Sequence, residues 1–138
     1  MTRLLPLLLM AMAATASLPT APDIPPEQQI FFETRIQPVL AEKCHACHSA
    51  TAERVRADLR LDSRGAMLRG GTHGPAVVPG DLMASLLISS VRWHDDDKGM
   101  PPESKGGRLS DETIADFEQW VLMGAPYPQK AQLKNEGS

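Results

Sequence analysis

Two cysteines and two histidines lie within five consecutive residues, Cys44-His45-Ala46-Cys47-His48. Cysteines three apart with a histidine directly after the second form the C-x-x-C-H pattern at which a c-type haem is attached. On a helical turn Cys44 and Cys47 share one side, where their sulfurs can form thioethers with two vinyl groups of one porphyrin. His48 lies on the same face, so its imidazole can bind the iron as the proximal axial ligand. The motif predicts one covalently attached haem c. His45 occupies an x position, for which we expect solvent exposure and no role.

The same cysteines allow other interpretations. A redox-active C-x-x-C would need a thioredoxin-like setting, and no strand pattern precedes Cys44. A zinc site would need a second ligand pair at metal-ligand spacing, but the chain has only two cysteines. A non-haem module, holding zinc or a plain disulfide, stays an alternative to the haem protein.

A six-coordinate haem needs a second axial ligand, and several side chains could supply it. Methionines on predicted helices, such as Met83 and Met123, are more often core filler than ligands. Met100 lies 52 residues after His48 and directly precedes Pro101-Pro102. Two prolines stiffen the backbone, so a thioether in front of them can be held at the iron with little loop freedom left to lose. We therefore predict Met100 as the second ligand. The rivals are Met67, Met83, Met123 and, as the next choice, His73 and His94.

The state of the sixth position separates two functions. With His48 and Met100 both bound, the iron has no place for a substrate and changes only its oxidation state, which predicts an electron carrier and not an enzyme. If Met100 leaves, the iron can bind peroxide or a diatomic gas. A peroxidase-like enzyme or gas sensor is then the alternative, with His73 or His94 as the candidate acid/base.

Residues 1–16 have the features of a secretory signal peptide. Arg3 gives a positive start, Leu4 to Ala14 an apolar segment, and Ala14-Thr15-Ala16 an A-x-A cleavage site. The apolar segment is too short to span a bilayer, so we expect no stable membrane insertion of the mature chain. This predicts a periplasmic or otherwise exported protein.

The net charge bears on the kind of partner, and the aromatic content bears on what fills the core. Without Arg3 the chain has 13 basic against 17 acidic residues, which argues against nucleic acid as a partner. Only 4% of the residues are aromatic. A buried porphyrin can supply the missing apolar area at roughly 25 cal/mol per square ångström. We expect redox proteins as partners and the cofactor as part of the core.

The predicted elements fall into four segments: the signal peptide 1–16, a proline-rich linker 17–26, a domain 27–128 and a polar, disordered tail 129–138. In the domain, Phe32, Ile36 and Leu40 recur every fourth residue on a helix from Glu27 to Lys43. Pro38 predicts a kink or a fresh start of that helix. Ser110 is the predicted N-cap of the last helix, whose apolar stripe is Ile114, Phe117 and Val121.

The middle of the domain is predicted to hold shorter elements. Leu59 to Asp62 alternates like a very short strand, and Ser63 to Leu68 predicts a helical turn before a flexible, glycine-containing loop. Asp81 is the predicted N-cap of a helix from Leu82 to Val91, with Met83 on its apolar face. Trp93 and Trp120 are candidates for packing on the porphyrin. Candidate partners for the haem propionates are Arg60, Arg64, Arg69, Arg92 and Lys98.

Together these segments resemble the cytochrome c domain found in planctomycetes and related bacteria. The matching stretches are Phe32 to Leu40 before Cys44 to His48, Leu59 to Arg64, Val78-Pro79-Gly80, Met100-Pro101-Pro102 and Leu109 to Pro128. The resemblance covers residues 31–128.

The resemblance implies a fold and a ligand set. The fold is all-α, with first and last helices that cross and with helices and loops wrapped around one covalent haem. Cys44 and Cys47 would be the thioether residues, and His48 and Met100 the axial ligands. In that family the domain is usually the amino-terminal part of a much longer protein, whereas the present sequence stops at Ser138. We therefore expect this chain to act as a free carrier or as one piece of a split system.

Overall fold

The computed structural model of the chain describes residues 23–95 and 98–136. The predicted signal peptide and residues 17–22 of the predicted linker lie outside the described residues. Helices and loops make up the described part, which has no strand and only two isolated bridges, Gly71 with Gly74 and Val78 with Asp81. This confirms the all-α prediction. No helix among the described residues is long and apolar enough to cross a membrane.

Five helices occur in the described part of the chain. The first, α1, is built from four consecutive segments, Pro26–Phe31, Phe32–Ile36, Gln37–Val39 and Leu40–Cys44. The others are α2 (Arg64–Arg69), α3 (Leu86–Val91), α4 (Asp111–Leu122) and α5 (Gln129–Glu136). Single 3₁₀ turns lie at Arg56–Asp58 and Glu103–Lys105.

Helix α1 changes between α and π winding three times along its four segments. Pro26 occupies its first turn, where a proline removes no hydrogen bond. The segment Phe32–Ile36 is a π-helix, and the Gln37 N–H bonds to the Phe32 carbonyl five residues back. An α-helical turn then restarts at Gln37 with Pro38 in its first positions. Pro38 cannot donate, so a local change in hydrogen-bond register is the expected response. The prediction of a restart at this proline is confirmed.

Helix α4 forms the core of the domain together with α1. Ser110 caps α4 by accepting from the Thr113 N–H, as predicted. The Phe32 ring of α1 lies 6.0 Å from the Trp120 ring of α4 and 4.5 Å from the Tyr127 ring. The indole N–H of the fully buried Trp120 donates to the Pro126 carbonyl at 2.8 Å. Trp120 is therefore a core residue with a satisfied donor, and α1 and α4 pack through aromatic contacts.

The helix before Met100 is shorter than predicted. It begins at Leu86 and not at Leu82, because the backbone of Ser85 is extended. The buried Ser85 hydroxyl accepts from the Val78 N–H at 2.9 Å and donates to the Asp81 carbonyl at 2.7 Å, which closes a loop in place of a helical turn. Met83 consequently lies in that loop, with 89% of its surface exposed. Its predicted place on a buried helix face is wrong.

Two further predictions differ from the structure. Residues 59–62 are extended but pair with no strand, and their partners lie in the C-x-x-C-H turn. The polar segment 129–136, predicted as disordered tail, forms α5, and its Ala131 is buried against the core. The predicted helical turn after Ser63 is confirmed as α2, where the Ser63 hydroxyl accepts from the Ala66 N–H.

Candidate cofactor site

The C-x-x-C-H motif forms a turn at the carboxyl end of α1. The His45 N–H bonds to the Leu40 carbonyl, and the His48 N–H bonds to the Cys44 carbonyl at 2.9 Å. The winding of α1 thus continues into the motif and puts residues 44 and 48 one turn apart. This arrangement agrees with the helical turn predicted from their spacing.

Both cysteines are free thiols and half-buried. Burial, and secondarily the neighbouring Cys47, raises the pKa of the Cys44 thiol to about 12. Cys44 is therefore protonated at neutral pH. Two free thiols at this spacing fit thioether attachment, in which sulfur and hydrogen add across a carbon–carbon double bond.

The imidazole of His48 is buried and held by one hydrogen bond. Its Nδ1 lies 3.1 Å from the carbonyl oxygen of Leu59. A carbonyl only accepts, so Nδ1 carries the proton and Nε2 of the neutral ring keeps its lone pair. A metal-bound histidine usually donates the N–H of its other ring nitrogen to a carbonyl or carboxylate, which fixes its tautomer and orientation. The tautomer of His48 is the one that an axial ligand needs.

His45 has a partner that sequence reasoning missed. Its side chain is half-buried rather than solvent-exposed, and its Nε2 lies 3.2 Å from the Leu61 carbonyl. The expectation that His45 faces solvent is wrong. Its position inside the turn brings it to the same extended segment that holds His48.

A buried carboxylate anchors the residues that follow His48. Asp62, 3% exposed, accepts from the Ala50 N–H at 2.7 Å and pairs with Arg60 at 3.3 Å. Burial alone would raise the pKa of Asp62, but the Ala50 N–H and the Arg60 guanidinium favour the anion, and the net pKa lies below its ordinary value. Asp62 is ionised at neutral pH and ties the chain after the motif to residues 60–62.

Replacing this carboxylate should make the free energy of unfolding depend less steeply on pH in the acid range. An aspartate whose pKa is lowered in the folded state stabilises the fold fully at pH values above its pKa in the unfolded chain, about 3.9. This stabilisation is lost as the pH falls through the pKa of the folded state. We expect Asp62→Asn to lower the free energy of unfolding by about 1–3 kcal/mol at pH 7, with a smaller difference below about pH 4. Urea unfolding over a pH series measures both values. An equal loss at every pH would contradict the expectation, and the exposed Glu53→Gln serves as control.

The candidate sixth ligands lie in different environments. Met100 lies in a loop, is 40% exposed, and its N–H bonds to the Ser90 carbonyl at 2.9 Å. Met67 is 1% exposed within the apolar core, where core filler is the simpler explanation. Met123 is half-buried at the end of α4. The assignment of Met100 as second axial ligand stays a prediction.

Two buried donors lack a partner in the described part of the chain, the indole Nε1 of Trp93 and the Nε of Arg60. The Trp93 ring lies against Gly99, where a Cβ would collide with it. The indole therefore packs on the residue that directly precedes Met100 in the chain. Buried N–H groups without a partner cost about 1–3 kcal/mol each. The N–H groups of Trp93 and Arg60 could donate to the carboxylates at the edge of a bound group such as haem. The residues present therefore fit the predicted cofactor.

Three of the other predicted propionate partners, Arg64, Arg92 and Lys98, are engaged elsewhere. Arg64 donates to the carbonyls of Gly124 and Ala125 beyond the end of α4. Arg92 pairs with Glu118 at 2.7 Å, and Lys98 pairs with Asp95 at 3.2 Å. Among these cations, Arg60 is the one that keeps a buried, unpartnered donor in the described residues.

Two further observations bear on alternative sites. In the ranges 23–95 and 98–136, no group of three or more His, Cys, Asp or Glu side chains is placed to hold a metal ion, which gives no support to a zinc module.

A cavity of about 270 Å³ opens between α1 and the start of α4 and is lined by Lys43, Arg108, Ser110 and Thr113 among others. None of the four predicted site residues lines it, so we do not assign it to the cofactor.

Comparison with known families agrees with this site. Residues 44–104 match the sequence model of a family described as Planctomycete cytochrome C. The matched range begins at the first motif cysteine and ends four residues after Met100. Searches of curated proteins and of solved structures gave no match.

Proposed function

Residues 44–104 carry a planctomycete-type cytochrome c domain, and from this premise we propose that the chain is an exported monohaem electron carrier. It would pass single electrons between redox proteins through an iron bound by His48 and Met100. Haem c is the cofactor that such a domain implies, and reversible one-electron oxidation of its iron is the chemistry that it supplies when bound.

The chain's own residues hold and orient the group. Cys44 and Cys47 would each hold the group through a thioether, formed when S–H adds across a vinyl double bond with no net oxidation. His48 would offer Nε2 to the iron while its Nδ1–H donates to the Leu59 carbonyl. Met100 would supply the second axial bond, and a methionine ligand favours the reduced iron and raises the reduction potential. With both axial positions filled by protein, transfer of an electron is the remaining reaction.

The observation that carries this proposal is the hydrogen bond from His48 to Leu59 within a C-x-x-C-H turn whose two thiols are free. The bond to Leu59 leaves Nε2 of His48 available to a metal, and a disulfide would have consumed both thiols. Covalent attachment, haem number and export rest on the motif and on the predicted signal peptide.

One preparation tests the proposal. The full chain is expressed with a cytochrome c maturation system and purified from the exporting compartment. The pyridine haemochrome spectrum and the intact mass should give one haem per chain, two thioethers and a chain cut near Ala16. A low-spin visible spectrum is expected in both oxidation states. Protein without covalent haem would overturn the proposal, and a high-spin native spectrum would favour the peroxidase-like alternative.

Removing the indole donor should weaken the holoprotein. Trp93→Phe keeps an aromatic ring against Gly99 but cannot donate to a propionate. We expect the free energy of unfolding of the holoprotein to fall by about 1.5–3 kcal/mol, the size of a hydrogen bond to a charged group. The reduction potential should fall as well, because a less stabilised propionate charge favours ferric iron.

The matched control for this variant is Trp120→Phe. It removes an indole donor that bonds to the Pro126 carbonyl within the core. Urea unfolding and redox titration should show that both variants lose stability, and that only Trp93→Phe shifts the potential. An unchanged potential in Trp93→Phe would mean that its indole does not face the haem.

A further inference from the structure

The extended segment 59–62 is tied by three hydrogen bonds to the C-x-x-C-H turn and by a fourth to Ala50, two residues after it. Two bonds involve His48: its Nδ1 donates to the Leu59 carbonyl at 3.1 Å, and its carbonyl accepts from the Leu61 N–H at 2.8 Å. His45 Nε2 lies 3.2 Å from the Leu61 carbonyl, and Asp62 accepts from the Ala50 N–H at 2.7 Å. We call residues 59–62 the strap.

The spacing of the two histidines matches the spacing of the two carbonyls. Side chains three residues apart on a helical turn are neighbours on one face. In an extended chain, backbone groups two residues apart point to the same side. His45 and His48 can therefore donate side by side to the carbonyls of residues 59 and 61, which is the pairing observed.

From this geometry we propose that His45 is a positioning residue for His48. Its Nε2–H bond to Leu61 holds the strap against the turn, and the strap in turn presents the Leu59 carbonyl to His48 Nδ1. The inference rests on the proposed function, since the consequence of a well-placed Leu59 carbonyl appears at a bound iron. A donating Nδ1–H makes the imidazole a stronger ligand and favours ferric iron.

The strap needs this extra bond because its amino-terminal end is a tight reversal. Ala57 and Asp58, directly before Leu59, both have left-handed backbone angles, with φ of 54° and 51°. Such angles are unfavourable for residues with a Cβ and persist only where surrounding contacts hold them. The bond from His45 fixes the strap two residues beyond Leu59, and the Leu61 N–H fixes the same residue by donating to the His48 carbonyl.

The test compares His45→Ala and His45→Gln in the haem-loaded full chain. Glutamine carries an amide N–H at about the place of Nε2 and can still donate to Leu61, whereas alanine cannot. The readouts are the hydrogen-exchange rate of the His48 Nδ1 proton, followed by NMR in the reduced, diamagnetic protein, and the reduction potential. We expect exchange roughly two- to tenfold faster in His45→Ala. The potential of this variant should shift upwards, and both values should return towards wild type in His45→Gln.

The outcomes separate the two proposals. Wild-type protein without covalent haem would overturn the proposed function and this inference with it. Haem-loaded wild type with unchanged exchange and potential in His45→Ala would overturn the inference alone. If His45→Ala gives no holoprotein, recovery in His45→Gln supports the inference, and loss in both variants overturns it. Glu53→Gln, an exposed substitution between the turn and the strap, should match wild type in every readout.

Discussion

Replacing both motif cysteines by alanine is expected to remove covalently bound haem completely, from one haem per chain to none. Cys44 and Cys47 are the only cysteines of the chain, so no other thiol can form a thioether. Without the covalent links, the group would be held by axial bonds and contacts alone and would be lost on denaturation. The measurement is intact mass under denaturing conditions, combined with the pyridine haemochrome spectrum.

The single variants provide the matched controls. Cys44→Ala and Cys47→Ala should each keep one thioether. The haemochrome band of each variant should shift towards that of a haem whose vinyl groups are unmodified. Haem still bound covalently in the double variant would show that attachment involves another residue. Equal loss of haem in the double variant and in the exposed control Met83→Ala would point to failed maturation instead.

Met100→Ala is expected to change both the spin state and the potential of the iron. Loss of the thioether leaves a position that water can fill, so the ferric protein should change from low spin to high spin. The long-wavelength charge-transfer band of sulfur-bonded ferric haem should disappear. The reduction potential should fall by a sizeable part of the ~0.8 V range over which axial ligands set haem potentials. Visible spectra and a redox titration measure these changes.

The rival methionines are the controls for this experiment. Met67→Leu conserves the volume of a core residue, and Met83→Ala changes a side chain that is 89% exposed. Both variants should keep the sulfur band. If Met67→Leu removes the band and Met100→Ala keeps it, the ligand assignment is wrong. A low-spin wild type without the band would favour His73 or His94 at the sixth position.

The two long helices could be predicted because their signals are local and repeated. Phe32, Ile36 and Leu40 mark the buried face of α1, and all three are fully buried. The start of α3 could not be predicted in the same way. Ser85 and Asp81 both suit a helix start, and the choice between them depends on hydrogen bonds from Ser85 to residues 78 and 81.

The same division applies to the candidate site. The roles predicted for Cys44, Cys47 and His48 rest on three positions within five residues, and their turn is built by the end of α1 itself. The bond from His48 to Leu59 and the anchor from Asp62 to Ala50 join segments 11 and 12 residues apart. The alternation of Leu59 to Asp62 signalled an extended segment, but the sequence could not tell that its partner is the motif and not a strand.

The contact of Trp93 with Gly99 has a consequence for the evolution of this loop. A side chain at position 99 would overlap the indole, so positions 93 and 99 cannot vary independently. A lineage that enlarges residue 99 must first shrink residue 93, and it would then give up the indole donor. The two positions would thus be inherited as a pair.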